Sequence, residues 1–176
     1  MQKTYVLDTN VLIQSPRALL SFEDNRIVLP LAVLEELDAL KTADGERGAN
    51  ARACIRMLEA LRLEGSLTEG VPLPGGGLLR VEVNCVDVAL PQGFPDHKND
   101  NRILKVCLGL AEREAPLILV TKDILVRIKA QMLNIEAEDY ITEQAPEREK
   151  QYTGRAEVYV SEARFDAFPE WPLLPE

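Results

Sequence analysis

The chain has 176 residues, of which 46% are hydrophobic and 5% aromatic, a composition typical of one α/β domain with an aliphatic core. Its formal net charge of −9 argues against broad, nonspecific binding of polyanions, but not against a nucleic-acid enzyme whose metal site requires acidic residues. No apolar stretch approaches the roughly 20 residues of a membrane span and no signal peptide is visible, so we expect a cytoplasmic protein without a membrane partner. The three cysteines are far apart in the chain, which predicts reduced thiols rather than a zinc site or a disulfide framework.

Apolar runs and turn residues divide the chain into alternating strands and helices. The predicted strands are residues 4–7, 27–29, 79–83, 117–121 and 135–137. The predicted helices are residues 16–22, 30–40, 49–63, 99–114 and 123–133. Polar and glycine-rich segments at 42–48 and 65–77 predict loops. This alternation favours a three-layer α/β/α fold around a mostly parallel sheet, whose strands end at one edge where such sheets bind ligands.

The last part of the chain differs in composition from the rest. It contains a charged run at 147–150, a predicted strand at 157–160 and a proline-rich end. We therefore expect residues 1–144 to form the folded domain and residues 145–176 to form an appendage or linker.

Four carboxylates occupy positions that the predicted fold would bring to the ligand-binding edge. Asp8 and Asp123 each follow a predicted buried strand. Glu36 lies at the margin of the apolar face of the second helix, and Asp100 lies in line with the apolar stripe of the fourth. A buried carboxylate is costly unless it is paired or bound to a metal. Oxygen ligands of this kind hold hard divalent cations, which activate water for phosphodiester hydrolysis.

Most of these carboxylates also have an ordinary structural explanation. Glu36 could be a surface glutamate, and Asp100 could be favoured by the helix dipole. Asp123 could cap the last helix, with Arg127 as its partner one turn later. Asp8 has the weakest explanation of this kind, because an aspartate after a buried strand has little local reason to be there. The single histidine, His97, lies in a polar loop and is predicted to be exposed to solvent.

The same positions resemble the motifs of the PIN-domain ribonucleases. The matching segments are residues 6–12 (VLDTNVL), 30–37 (PLAVLEEL), 99–104 (NDNRIL) and 120–123 (VTKD). The resemblance covers about residues 1–140 and implies a PIN-like fold. It assigns the acidic positions of the family to Asp8, Glu36, Asp100 and Asp123. It also implies that three polar residues support the site by hydrogen bonding, namely Thr9, Asn10 and Thr121.

Further segments are similar to PIN domains that are fused upstream of a PhoH-type ATPase. They are residues 98–104, 125–130, 138–140 and 152–154. The ATPase itself is not within these 176 residues, since they contain no Walker motif. The resemblance therefore implies a PhoH-type ATPase domain as a partner in the same native chain.

Residues and resemblance together predict a metal-dependent endoribonuclease that cleaves single-stranded RNA. Asp8 is expected to be the central ligand of one or two Mg²⁺ or Mn²⁺ ions, with Asp100 and Asp123 completing the site. Glu36 is expected to ligate the metal or to orient a metal-bound water that attacks phosphorus. A homo-oligomer is a further expectation. Two alternatives stay open, a toxin-type PIN ribonuclease paired with an antitoxin and a non-catalytic PIN-like interaction domain.

Overall fold

A mostly parallel six-stranded sheet forms the centre of the fold. The computed structural model describes residues 2–141. The strands are β1 (Thr4–Leu7), β2 (Arg26–Pro30), β3 (Val71–Pro72), β4 (Leu78–Glu82), β5 (Leu117–Val120) and β6 (Glu136–Glu138). They lie in the order β3-β4-β2-β1-β5-β6, and every neighbouring pair is parallel except β3 and β4. The predicted α/β fold with a mostly parallel sheet is therefore confirmed.

Strands β1 and β5 run side by side in register. Leu7 pairs with Val120, and the backbone N–H of Asp8 donates to the carbonyl oxygen of Val120 at 3.0 Å. All four residues of β5 are buried, as its wholly apolar sequence predicts for a strand covered on both faces. The order of the strands reverses between β1 and β5. Their carboxyl ends thus form the switch point at which open α/β sheets bind ligands.

The helices that join these strands cover the sheet. They are α1 (Thr9–Gln14), a short 3-10 helix (Pro16–Leu20), α2 (Leu31–Leu40), α3 (Gly45–Glu64), α4 (Asn99–Ala111) and α5 (Ile124–Met132). Helix α2 packs between α3 and α4, and α5 packs beside β6. The apolar stripes predicted for α2 and α4 are largely buried, including Val33, Leu37, Leu104 and Cys107.

Three segments differ from the sequence prediction. Residues 9–14 form α1, which is too short for periodicity to reveal and is stabilised by the full burial of Val11 and Leu12. Helix α3 begins at Gly45, inside the segment predicted as a polar break. A Cβ atom at Gly48 would lie 1.8 Å from the carbonyl oxygen of Ala43, so only glycine permits this start. The predicted loop at 65–77 contains the two-residue edge strand β3.

The remaining expectations concern individual side chains and the end of the chain. The cysteines Cys54, Cys85 and Cys107 are free, and His97 is exposed, as predicted. Within residues 2–141, no helix is long and apolar enough to cross a membrane. The predicted appendage at 145–176, with its strand at 157–160, lies outside the described residues.

Candidate active site

Asp8 is the buried carboxylate of the candidate site. It follows β1 directly, and only 5% of its surface is exposed. Burial raises the pKa of Asp8 from 3.8 to about 6, the hydrogen bond from Thr121 opposes this rise, and the charges of Asp100 and Glu36 add to it. Asp100 and Glu36 therefore each lie close enough to Asp8 for their charges to repel its carboxylate.

A network of hydrogen bonds orients Asp8 across the β1–β5 boundary. The Thr121 hydroxyl donates to Asp8 Oδ2 at 2.6 Å, and Asn10 Nδ2 donates to the same oxygen at 2.7 Å. Asn10 Oδ1 in turn accepts the backbone N–H of Lys122 at 2.9 Å. The carboxylate is thus held between the start of α1 and the end of β5, with a fixed orientation.

Glu36 reaches the same region from α2. Thr9 Oγ1 donates to Glu36 Oε2 at 2.8 Å, which connects α2 to the end of β1. Glu36 is half-buried whereas Glu35 is exposed, as the helical geometry predicts. Glu35 forms an ion pair with Arg102 instead, and this pair joins α2 to α4 beside the candidate site.

Asp100 lies in the first turn of α4 and has a partner that the sequence did not reveal. Lys129 Nζ of α5 donates to Asp100 Oδ2 at 3.1 Å. The next residue, Asn101, is buried, and its Nδ2 donates to the carbonyl oxygen of Pro95 at 2.8 Å, which anchors the start of α4. Its Oδ1 accepts no hydrogen bond from any residue that the structure describes. The sequence predicts no role for Asn101 or Lys129, although they lie in two segments of the family resemblance, residues 98–104 and 125–130.

Asp123 is exposed and caps α5. Its Oδ1 accepts the backbone N–H of Leu125 at 2.7 Å, which confirms the predicted helix cap. Its own N–H donates to Thr121 Oγ1 at 3.1 Å, so one hydroxyl links Asp123 to Asp8. The predicted pair with Arg127 is wrong. Arg127 donates to the carbonyl oxygen of Thr121 at 2.8 Å and lies 3.7 Å from Asp139.

The four predicted carboxylates therefore differ in how they join the site. Glu36 and Asp100 each lie within electrostatic reach of Asp8, and Asp123 is connected to Asp8 through Thr121. Within residues 2–141, no three His, Cys, Asp or Glu side chains form a ready-made group that could hold a metal ion. Each of the four carboxylates instead accepts a hydrogen bond from another group of the protein. The ligand atoms of the four carboxylates still fit Mg²⁺ or Mn²⁺, because all of them are oxygen. A divalent cation would also relieve the repulsion between the carboxylates.

The family model and the curated relatives each match most of this chain. The profile of the family described as PIN domain matches residues 5–141. A protein named PhoH2 from Bacillus subtilis is 43% identical over 175 residues, which cover 96% of this chain and 40% of the relative. A PhoH2 from Thermobispora bispora is 40% identical over 162 residues, which cover 91% of this chain and 36% of the relative. The chain thus spans two fifths or less of the length of these relatives.

Solved structures that are similar to this chain have low sequence identity to it. A domain of a functionally unknown protein from Methanocaldococcus jannaschii is 20% identical, with a TM-score of 0.49, and covers 90% of this chain and 99% of its own. The PIN domain of human SMG5 is 18% identical, with a TM-score of 0.45, and covers 77% of this chain and 92% of its own.

Proposed function

The chain belongs to the PIN-domain family, whose members are generally nucleases, and on that premise we propose that it is a metal-dependent endoribonuclease of single-stranded RNA. The observation that carries the proposal is the buried Asp8, whose pKa is raised to about 6 by burial, with further contributions from Asp100 and Glu36. A buried carboxylate with a raised pKa at a switch point is typical of a functional site, because a bound ligand compensates for the cost of burying its charge.

Mg²⁺ or Mn²⁺ is the proposed cofactor. Asp8, Asp100 and Asp123 would hold the cation, and Glu36 would ligate it or orient the attacking water. When bound, such an ion acidifies water and neutralises charge that develops on the phosphate. The carboxylates must turn towards the ion from their present partners, and this supports a site that fills at millimolar Mg²⁺ or at lower Mn²⁺ concentrations.

Three polar residues are proposed to position these ligands. Thr121 and Asn10 both donate to one oxygen of Asp8, which sets the direction of the carboxylate. Thr9 donates to Glu36 and holds α2 against the end of β1. His97 is exposed in its loop, and the proposed reaction needs neither a histidine base nor a protein nucleophile.

A PhoH-type ATPase domain in the same polypeptide is the proposed functional partner. The relatives named PhoH2 share 40% or more of their residues with this chain over the match. More than half the length of each relative lies outside the match. These two facts support a shared arrangement in which the nuclease works beside a further domain.

Two copies of the chain are proposed to associate through the outer face of α5. We call this surface the α5 face. It consists of four apolar side chains that are 49% to 67% exposed, Ile124, Leu125, Ile128 and Met132. Contiguous exposed apolar residues are typical of protein interfaces, and a second copy of the chain would cover them.

Asp8→Asn tests the nuclease assignment. Asparagine keeps the size of the side chain and a carbonyl oxygen for Thr121 and Asn10, but it lacks the charge that would hold the cation. We expect cleavage of a single-stranded RNA in Mn²⁺ to fall by roughly two orders of magnitude or more, as for the loss of one key electrostatic group. The rate of cleavage and a thermal melt measure activity and folding separately.

Asp38→Asn is the matched control. It makes the same change on an exposed aspartate of α2 that pairs with Lys41 outside the site. This variant should cleave RNA at the rate of the parent protein. If Asp8→Asn also cleaves at the parent rate, the site is not a nuclease centre, and the interaction-domain alternative takes its place.

A further inference from the structure

Lys129 is the cation that faces the candidate carboxylates. Its Nζ lies 3.1 Å from Asp100 Oδ2, and the two side chains are 28% and 42% exposed. Among the ion pairs of the described residues, this is the one that engages a predicted metal ligand. A single positive charge thus stands beside the oxygen that a divalent cation would require.

The ion pair is well placed to open. A partly exposed lysine–carboxylate pair contributes little to stability, and the lysine ammonium sits on a flexible four-carbon stem. The carboxylate cluster is not assembled for metal binding in this conformation. Release of Asp100 by Lys129 is therefore one of the small movements that would assemble it.

Other cations near the site have partners that metal binding would not remove. Lys122 donates to the carbonyl oxygen of Tyr140 at 2.9 Å, and Arg127 donates to the carbonyl oxygen of Thr121 at 2.8 Å. Arg102 pairs with Glu35. If Asp100 turned to a cation, Lys129 would lose its carboxylate and present an unpaired ammonium at the edge of the site.

We propose that Lys129 acts as the counter-ion of Asp100 in the metal-free protein and as a phosphate ligand in the metal-loaded protein. The inference rests on the proposed nuclease function. Metal binding frees the ammonium for an RNA phosphate, and an RNA phosphate that takes the ammonium frees Asp100 for the metal. Metal and RNA should therefore bind cooperatively, each strengthening the binding of the other.

Lys129→Gln tests the first half of the proposal, with Lys41→Gln as the matched control. Lys41 also pairs with an aspartate, Asp38, but on the outside of α2. In calorimetric titrations with Mn²⁺ and no RNA, Lys129→Gln should bind roughly three- to tenfold more tightly than the parent, because a competing unit charge has been removed. The Lys41→Gln variant should match the parent protein.

The affinity for RNA tests the second half. With Mn²⁺ present, fluorescence anisotropy measures binding of a phosphorothioate single-stranded RNA that resists cleavage. Lys129→Gln should bind this RNA several-fold more weakly although it binds Mn²⁺ more tightly, since one phosphate contact is lost. Lys129→Arg keeps the charge and should restore the RNA affinity. A lysine with a merely structural role would not produce changes of opposite sign.

The outcomes separate this inference from the nuclease proposal. If Lys129→Gln and a second neutral variant, Lys129→Met, bind Mn²⁺ or RNA as the parent does, the assignment of Lys129 is wrong and the nuclease proposal stands. If the parent binds no Mn²⁺ even with the phosphorothioate RNA, both proposals are overturned.

Discussion

Asp8 carries a charge that burial makes costly. Its pKa of about 6 lies above the ordinary value of 3.8, so the folded chain takes up a proton on Asp8 at a higher pH than the unfolded chain does. The resulting destabilisation, about 3 kcal/mol at most, is fully present above the folded-state pKa and disappears as the pH falls below the unfolded-state value. A bound cation would offset this cost at neutral pH.

This cost predicts a pH-dependent gain in stability for Asp8→Asn in the metal-free protein. At pH 7.5 the substitution should raise the free energy of unfolding by up to about 3 kcal/mol, and the gain should fall to about 0.5 kcal/mol near pH 4 and vanish at still lower pH. Urea unfolding with a chelator present measures the difference at both pH values. Asp38→Asn should show no such gain, because Asp38 is exposed. A gain of equal size at both pH values would contradict burial of the charge as its cause.

Asp123 caps helix α5, and it is also one of the proposed metal ligands. Replacement by serine or alanine separates these two roles. Asp123→Ala should lower the free energy of unfolding by about 1 kcal/mol because it removes the cap, whereas Asp123→Ser should remain near the parent. Both variants should lose most RNA cleavage, because both lack the carboxylate. Denaturant unfolding and RNA cleavage measure the two effects, and a fully active serine variant would remove Asp123 from the proposed ligands.

Helix α4 shows that a helical period predicts the face on which a residue lies but not how deeply its side chain is buried. Asp100 is in line with Leu104 and Cys107, which are fully buried. Its own side chain is nevertheless 42% exposed, although Asn101, its neighbour in the first turn of α4, is buried. The exposure lets Asp100 meet Lys129 without the desolvation that a buried ion pair requires.

The α5 face predicts that the whole molecule self-associates. Ile128→Glu places a charge in the middle of this face and should shift the protein towards the monomer, because burying an unpaired charge in an interface is costly. Sedimentation velocity over a range of concentrations measures the shift.

Leu63→Glu is the control for this experiment. Leu63 is 74% exposed on α3 and lies outside the α5 face, so its replacement should leave self-association unchanged. A parent protein that stays monomeric at the highest concentrations would contradict the proposed homo-oligomer.

The amino-acid sequence by itself determined the features that depend on near neighbours along the chain. The apolar run of β5 predicts a strand covered on both faces, and the period of α2 separates Glu36 from the exposed Glu35. The cap at Asp123 follows from its place before a helix. The alternation of strands and helices then predicts the parallel sheet and the edge at which Asp8 lies. Assignment of these acids as metal ligands remains a prediction.

Only the tertiary structure decided which side chains meet. Asp100 and Lys129 are separated by 29 positions, and Thr9 and Glu36 by 27. Helix α1 forms because its apolar residues are buried, not because six residues favour a helix. Periodicity and propensity act within a few turns of chain, whereas ion-pair and hydrogen-bond partners depend on how separate elements pack. Local patterns therefore predict which acids to propose for the site, while the lysine beside Asp100 is revealed only when α4 and α5 are placed together.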